Sequence, residues 1–127
     1  MRRRESFVLD EEDEEIVRLF TELGMPRNLS KTLMYICQVD ECRSPDVEQG
    51  ADLRQPEVCI AMQELRKRGW AKKRVLKKEK GRGRPVHIYS STKPLSEIWK
   101  AFEQEKLNEF ETVKNDISEL KNIIENR

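Results

Sequence analysis

Apolar residues set the first element on their own. Val58, Ala61, Met62 and Leu65 recur at i, i+3, i+4 and i+7, which places them on one face of a helix. Pro56 suits the first turn of that helix, where a missing N–H costs nothing. Gly69 follows Arg66, Lys67 and Arg68, a stop signal with cations at the negative helix end. The pattern then shortens into two strands, residues 72–78 and 85–90, around the turn Gly81-Arg82-Gly83-Arg84.

Upstream, the acidic run Asp10 to Glu15 opens a helix as a solvated first turn. Ile16, Leu19, Phe20 and Leu23 form its apolar face, and Gly24 and Pro26 end it. A second helix follows Asn28 or Ser30 as N-cap, with Leu29, Leu33, Ile36 and Cys37 as its stripe. Ser44-Pro45-Asp46 reads as a cap, a first-turn proline and an acid, starting a short helix that reaches about Gln49. Gly50-Ala51-Asp52 is a turn, and Leu53 an apolar plug before the helix described first. Helix, tight turn, helix at this length is a helix-turn-helix.

Downstream of Pro94 there is no glycine or proline. Leu95, Ile98, Trp99 and Phe102 cluster at the start of a long helix. Phe110, Val113, Ile117, Leu120 and Ile124 then step by three and four, a heptad seam. Such a seam on a lone helix would lie exposed, so the expectation is a homodimer formed through these residues, the alternative being a short seam folded back on its own N-terminal helix. The organisation expected is a flexible arm over 1–9, a helix-turn-helix domain with its N-terminal helix and hairpin over 10–93 and a dimerisation helix over 94–127. The fold class is mainly α with a small β-hairpin.

Charge sharpens this picture by its distribution. The 127 residues carry a net charge of +1, which says nothing about partners. Between Arg66 and Arg84, however, Glu79 is the only acid among eleven lysines and arginines. A one-sign stripe over a helix end and a hairpin is an electrostatic footprint for phosphate.

Other chemistries find little support. Cys37, Cys42 and Cys59 contain no CxxC pair and His87 is the single histidine, so neither a metal site nor a cofactor is expected. No phosphate loop, HExxH or nucleophile elbow occurs, and the GRGR turn lacks a GK[ST] ending; the expectation is no enzyme. No apolar run approaches the length of a membrane span, and Met1-Arg2-Arg3-Arg4 has no apolar stretch behind it. A cytoplasmic protein is expected.

The order of helix, SPDVEQGADL, RQPEVCIAMQELRKRGW and a basic hairpin with GRGRPVHIY resembles the winged helix-turn-helix transcription regulators common in archaea, of the TrmB-like and MarR-like kind. The resemblance covers about Gly24 to Leu95, with LRKRGW and GRGRP its most specific parts. It implies a dimer on double-stranded DNA, with the second helix of the motif in the major groove. On that helix Arg54, Gln55, Pro56, Cys59, Ile60, Gln63 and Lys67 are the candidate contacts. On the wing they are Lys72, Lys73, Lys80, Arg82, Gly83 and Arg84. The resemblance implies no particular effector, since the large C-terminal sugar-binding domain of full-length TrmB regulators has no counterpart here. The competing reading is a winged-helix adaptor that holds RNA or protein within a larger assembly.

Overall fold

The N–H groups at the start of a helix need acceptors, and this chain supplies carboxylates three residues in. The computed structural model describes residues 7–76 and 85–127. In α1 (Glu11–Glu22), Asp10 and Asp13 cap one another, each carboxylate accepting the other's backbone N–H at 2.9 Å. In α3 (Ser44–Gly50) and α4 (Gln55–Lys67), Asp46 accepts the Arg43 N–H and Glu57 the Arg54 N–H, both at 2.8 Å. Pro45 and Pro56 sit in those first turns, where the missing N–H would have had no intrahelical acceptor.

The second helix, α2 (Arg27–Ile36), is enclosed almost all round: every residue from Leu29 to Ile36 is buried, the polar Ser30, Lys31 and Thr32 included. Around it pack α1, α3, α4 and the second strand of the hairpin. The hairpin consists of β1 (Ala71–Leu76) and β2 (Val86–Ser91), antiparallel, with Ala71 opposite Ser91 and Leu76 opposite Val86. The other edge of β2 pairs with Cys42, whose N–H donates to Tyr89 O at 2.9 Å while Tyr89 N–H returns at 2.8 Å. That exchange ties the wing to the loop before α3. A long helix, α5 (Leu95–Glu125), completes the chain. Two units emerge, Met1–Leu95 and Ser96–Arg127. In the second, Ile98 and Phe102 are buried and the helix is largely exposed beyond them. No helix among the described residues is long and apolar enough to cross a membrane.

The expected stripe of α4 is observed: Val58, Ala61, Met62 and Leu65 are all buried. After it, Gly69 at φ +80° allows a left-handed close in which Gly69 N–H reaches Arg66 O and Trp70 N–H reaches Leu65 O.

Several expectations are corrected. On α1 the buried face runs through Asp13, Val17 and Phe20, and Leu19 and Leu23 are exposed. Asp13 is no solvated acid, because the Gln38 side-chain amide also donates to it at 3.0 Å and holds it inward. The N-cap of α2 is Pro26. Asn28 instead donates to Glu57 on α4 at 3.2 Å, and Ser30 bonds back to the Pro26 carbonyl. Arg43, not Ser44, caps α3, because Asp46 does the capping from inside the helix. The arm expected over 1–9 is anchored at its inner end. Phe7 and Leu9 are buried, Phe7 stacks on Tyr35 at 5.7 Å between ring centres, and Leu9 N–H donates to Gly50 O at 3.0 Å. Its residues 1–6 lie outside the described residues.

Gly50 is where the anchored segment, α3 and Tyr35 meet. A Cβ there would overlap both the fully buried Tyr35 ring and the Phe7 carbonyl oxygen. Gly50→Ala should therefore destabilise the fold by about 1–3 kcal/mol in spite of the better helix propensity of alanine. Chemical denaturation checks this, and unchanged or raised stability would mean the segment around Phe7 moves aside freely.

Candidate nucleic-acid interface

Because the Val58–Leu65 stripe points inward, the opposite side of α4 is fixed outward. Arg54, Gln55, Pro56, Cys59, Ile60, Gln63 and Lys67 are all exposed, as is Arg66. They do not form one uniform face. At 100° per residue, Gln55, Cys59 and Arg66 lie on one flank, Glu57 and Glu64 on the other, and Pro56, Ile60, Gln63 and Lys67 between them.

The first flank borders a cleft of about 390 Å³ between α3, α4 and β2, lined by Arg43, Ser44, Gln55, Cys59, His87 and Tyr89 among others. Its polar groups are supplied by three elements, and backbone pairing with Cys42 fixes Tyr89 beneath it. His87 meets the Tyr89 ring edge-on at 6.4 Å. Burial raises the Tyr89 phenol above its ordinary range and neighbouring Cys59 adds to this, so the phenol stays a neutral hydrogen-bonding group. Gln63 approaches the Cys59 sulfur at 3.8 Å through its amide nitrogen.

The second flank borders a groove of about 340 Å³ against α2, lined by Pro26, Leu29, Glu57, Ile60, Ala61 and Glu64 among others. Ile60 is 67% exposed at its rim, on the acidic side of the outward face.

The basic stripe is divided in three dimensions. Glu41 binds Arg74 through two bonds of 2.8 and 3.0 Å, and that contact holds the Glu41 carboxyl below the usual range. Glu64 binds Arg68 at 2.8 Å, and Arg68 also lies 5.2 Å from the Trp70 ring centre. Arg66, Lys67, Lys72 and Lys73 form no salt bridge among the described residues. Lys80, Arg82, Gly83 and Arg84 lie outside the described residues. Among the described residues no group of histidine, cysteine or carboxylate side chains could hold a metal ion.

The structure adds Arg43, Ser44, Arg66 and His87 to the surface around the outward face. The sequence signal for Arg66 was its place in the basic stripe. For Arg43 and Ser44 it was the Ser-Pro-Asp cap, which says where a helix starts but not what that start faces. For His87 it was strand alternation opposite Val75.

No family model matches the chain, and no curated protein matches it. Solved structures do. The chain is similar to a possible transcriptional regulator from Methanosarcina mazei Go1, with a TM-score of 0.61 and 10% identity over 84% of this chain and 86% of that one. It is similar to TrmBL2, an archaeal chromatin protein with a novel mode of DNA binding, with a TM-score of 0.51 and 15% identity over 86% of this chain and 42% of that one. A third is the transcriptional regulator PA4135, with a TM-score of 0.50 and 16% identity over 86% of this chain and 89% of that one. At such identities the likeness carries the fold alone, a winged helix-turn-helix with a long C-terminal helix.

Proposed function

We propose that this chain is a sequence-specific, double-stranded-DNA-binding transcription regulator that acts as a homodimer. One observation carries the reading: α4 is anchored by four buried apolar residues and presents Gln55, Gln63, Arg66 and Lys67 outward. The major groove admits a helix of this kind, and glutamine can pair with adenine through two hydrogen bonds. Arg54, Pro56, Cys59 and Ile60 complete the outward surface, with Ile60 available to a thymine methyl. Lys67, Lys72 and Lys73 take phosphate, which positions the protein without specifying sequence. In the wing Lys80, Arg82, Gly83 and Arg84 extend that contact to the backbone or an adjacent minor groove. The similarity to transcriptional regulators supports the same reading. An adaptor would present an apolar patch on α4, whereas Ile60 is the sole exposed large apolar residue there.

Two substitutions separate specificity from affinity. Gln63→Ala should relax the preferred base at one position, at a cost of about 1–3 kcal/mol for the matched site. Lys67→Ala should instead weaken all duplexes alike and flatten the slope of log affinity against log salt by about 0.9. Selection from random duplexes and titration across salt read the two effects. If both variants match the parent in both assays, α4 does not enter DNA and the adaptor reading takes its place.

A thiol reagent offers an independent probe. Burial, helped by Asp46 and Glu41, pushes the Cys42 thiol up to about 12, so at pH 8 it is protonated as well as enclosed. Cys59 is exposed on the outward helix. A bulky maleimide should label Cys59 well before Cys42, as peptide mass spectrometry would show, and labelling at Cys59 should abolish duplex binding.

Truncation addresses the dimer. Removing everything after Glu109 deletes Phe110, Val113, Ile117, Leu120 and Ile124 and should leave monomers at micromolar concentration by light scattering. Affinity should fall steeply with it, since two half-sites are no longer read together. A dimer mass that survives the truncation places the interface elsewhere.

A further inference from the structure

Helix α5 leaves Phe110, Val113, Ile117, Leu120 and Ile124 each between 55% and 61% exposed. With Phe110, Ile117 and Ile124 at the a positions of a heptad, Val113 and Leu120 fall at d. The flanking positions are then fixed: Glu109 and Asp116 at g, Lys114 and Lys121 at e. The preceding d position is Lys106, which meets the Glu109 carboxylate at 3.0 Å, so the apolar seam starts at Phe110.

These charges choose an orientation. When two helices run parallel and in register, each g residue lies beside the e residue five positions later on its partner. Glu109 then faces Lys114 of the second copy and Asp116 faces Lys121, and symmetry doubles both pairs. Reversing one helix brings e against e and g against g. That arrangement sets Lys114 against Lys121 and acid against acid. Within a parallel arrangement, Ile117 and Ile124 at a with Leu120 at d favour two strands over three or four. Neither lysine is strongly engaged within its own chain. Lys114 has an exposed contact of 4.0 Å with Glu111 and lies 6.0 Å from the Phe110 ring centre, and Lys121 forms no salt bridge among the described residues.

We infer that α5 pairs with a second copy of itself as a parallel, in-register, two-stranded coiled coil. The inference rests on the dimeric reading above and adds its orientation. The consequence for DNA is geometric. Parallel pairing holds the two Leu95 ends about 10 Å apart, one interhelical distance. Antiparallel pairing centred on the seam separates them by about 70 Å at 1.5 Å per residue. Only the first attaches both winged-helix units at the same end of the rod, as half-sites about one helical turn apart require.

Charge reversal in the full chain tests this. Lys114→Glu with Lys121→Glu turns four attractive pairs repulsive and should raise the dimer dissociation constant about tenfold or more, measured by sedimentation across dilution. Adding Glu109→Lys and Asp116→Lys should restore it to near the parent's value. Independently, an Ile124→Cys chain should oxidise to a dimer joined through position 124 on both copies, identified by peptide mass. A parent dimer indifferent to the double reversal, or one whose position 124 fails to join its counterpart, overturns the parallel orientation while leaving the dimer standing. A parent that is monomeric at micromolar concentration overturns both.

Discussion

A helix with no free face holds the first unit together. From Leu29 to Ile36 the whole of α2 is enclosed, including Ser30, Lys31 and Thr32. Its hydroxyls are satisfied locally, Ser30 by the Pro26 carbonyl and Thr32 by that of Asn28, so their burial leaves no orphaned group. Leu33, Tyr35 and Ile36 have no exposed surface, and each contributes about 1.5–3 kcal/mol on removal from water. The pointing of α4 follows from this. Its stripe must meet α2, so the identities of its outward residues are settled by the core before any ligand is considered. Asn28 and Glu57 add a polar tether across the same contact.

The charge distribution carries a related lesson. Along the sequence, the stripe from Arg66 to Arg84 holds one acid. In the fold, Glu41 from the loop before α3 claims Arg74, and Glu64 within α4 claims Arg68. Both pairs are partly or wholly exposed and add little to stability. Their effect is on the field: each pair offsets one cation of the basic surface, and Arg68 offsets Glu64 on the flank of α4 that also carries Glu57. Arg66, on the opposite flank, forms no salt bridge among the described residues, so the two flanks of α4 differ in charge.

What could be read in advance was whatever neighbours in sequence decide. The stripe of α4, its stop at Gly69 and the uninterrupted α5 are local patterns, and the structure has them. What could not be read depends on partners far along the chain. Asp13 looks like one of several solvated acids until Gln38, 25 residues on, turns it inward. Ser30, Lys31 and Thr32 give α2 an amphipathic pattern that conceals its enclosure. Arg74 looks like a free cation until Glu41, 33 positions earlier, reaches it. The cleft that joins Arg43, Gln55 and His87 needs three elements and the Cys42–Tyr89 pairing, and no stretch of sequence contains it.

That pairing has a consequence beyond recognition. With β1 along one edge and the single Cys42 bridge at Tyr89 on the other, β2 is covered at one point of its outer edge, and β1 leaves its own outer edge open among the described residues. An open edge is a template onto which a strand from another molecule can add. Here it carries Lys72 and Lys73, with Arg74 paired to Glu41, so a second such edge would meet lysines with lysines of its own. Like charge on two such edges opposes their pairing, a brake on the sheet growing one strand at a time.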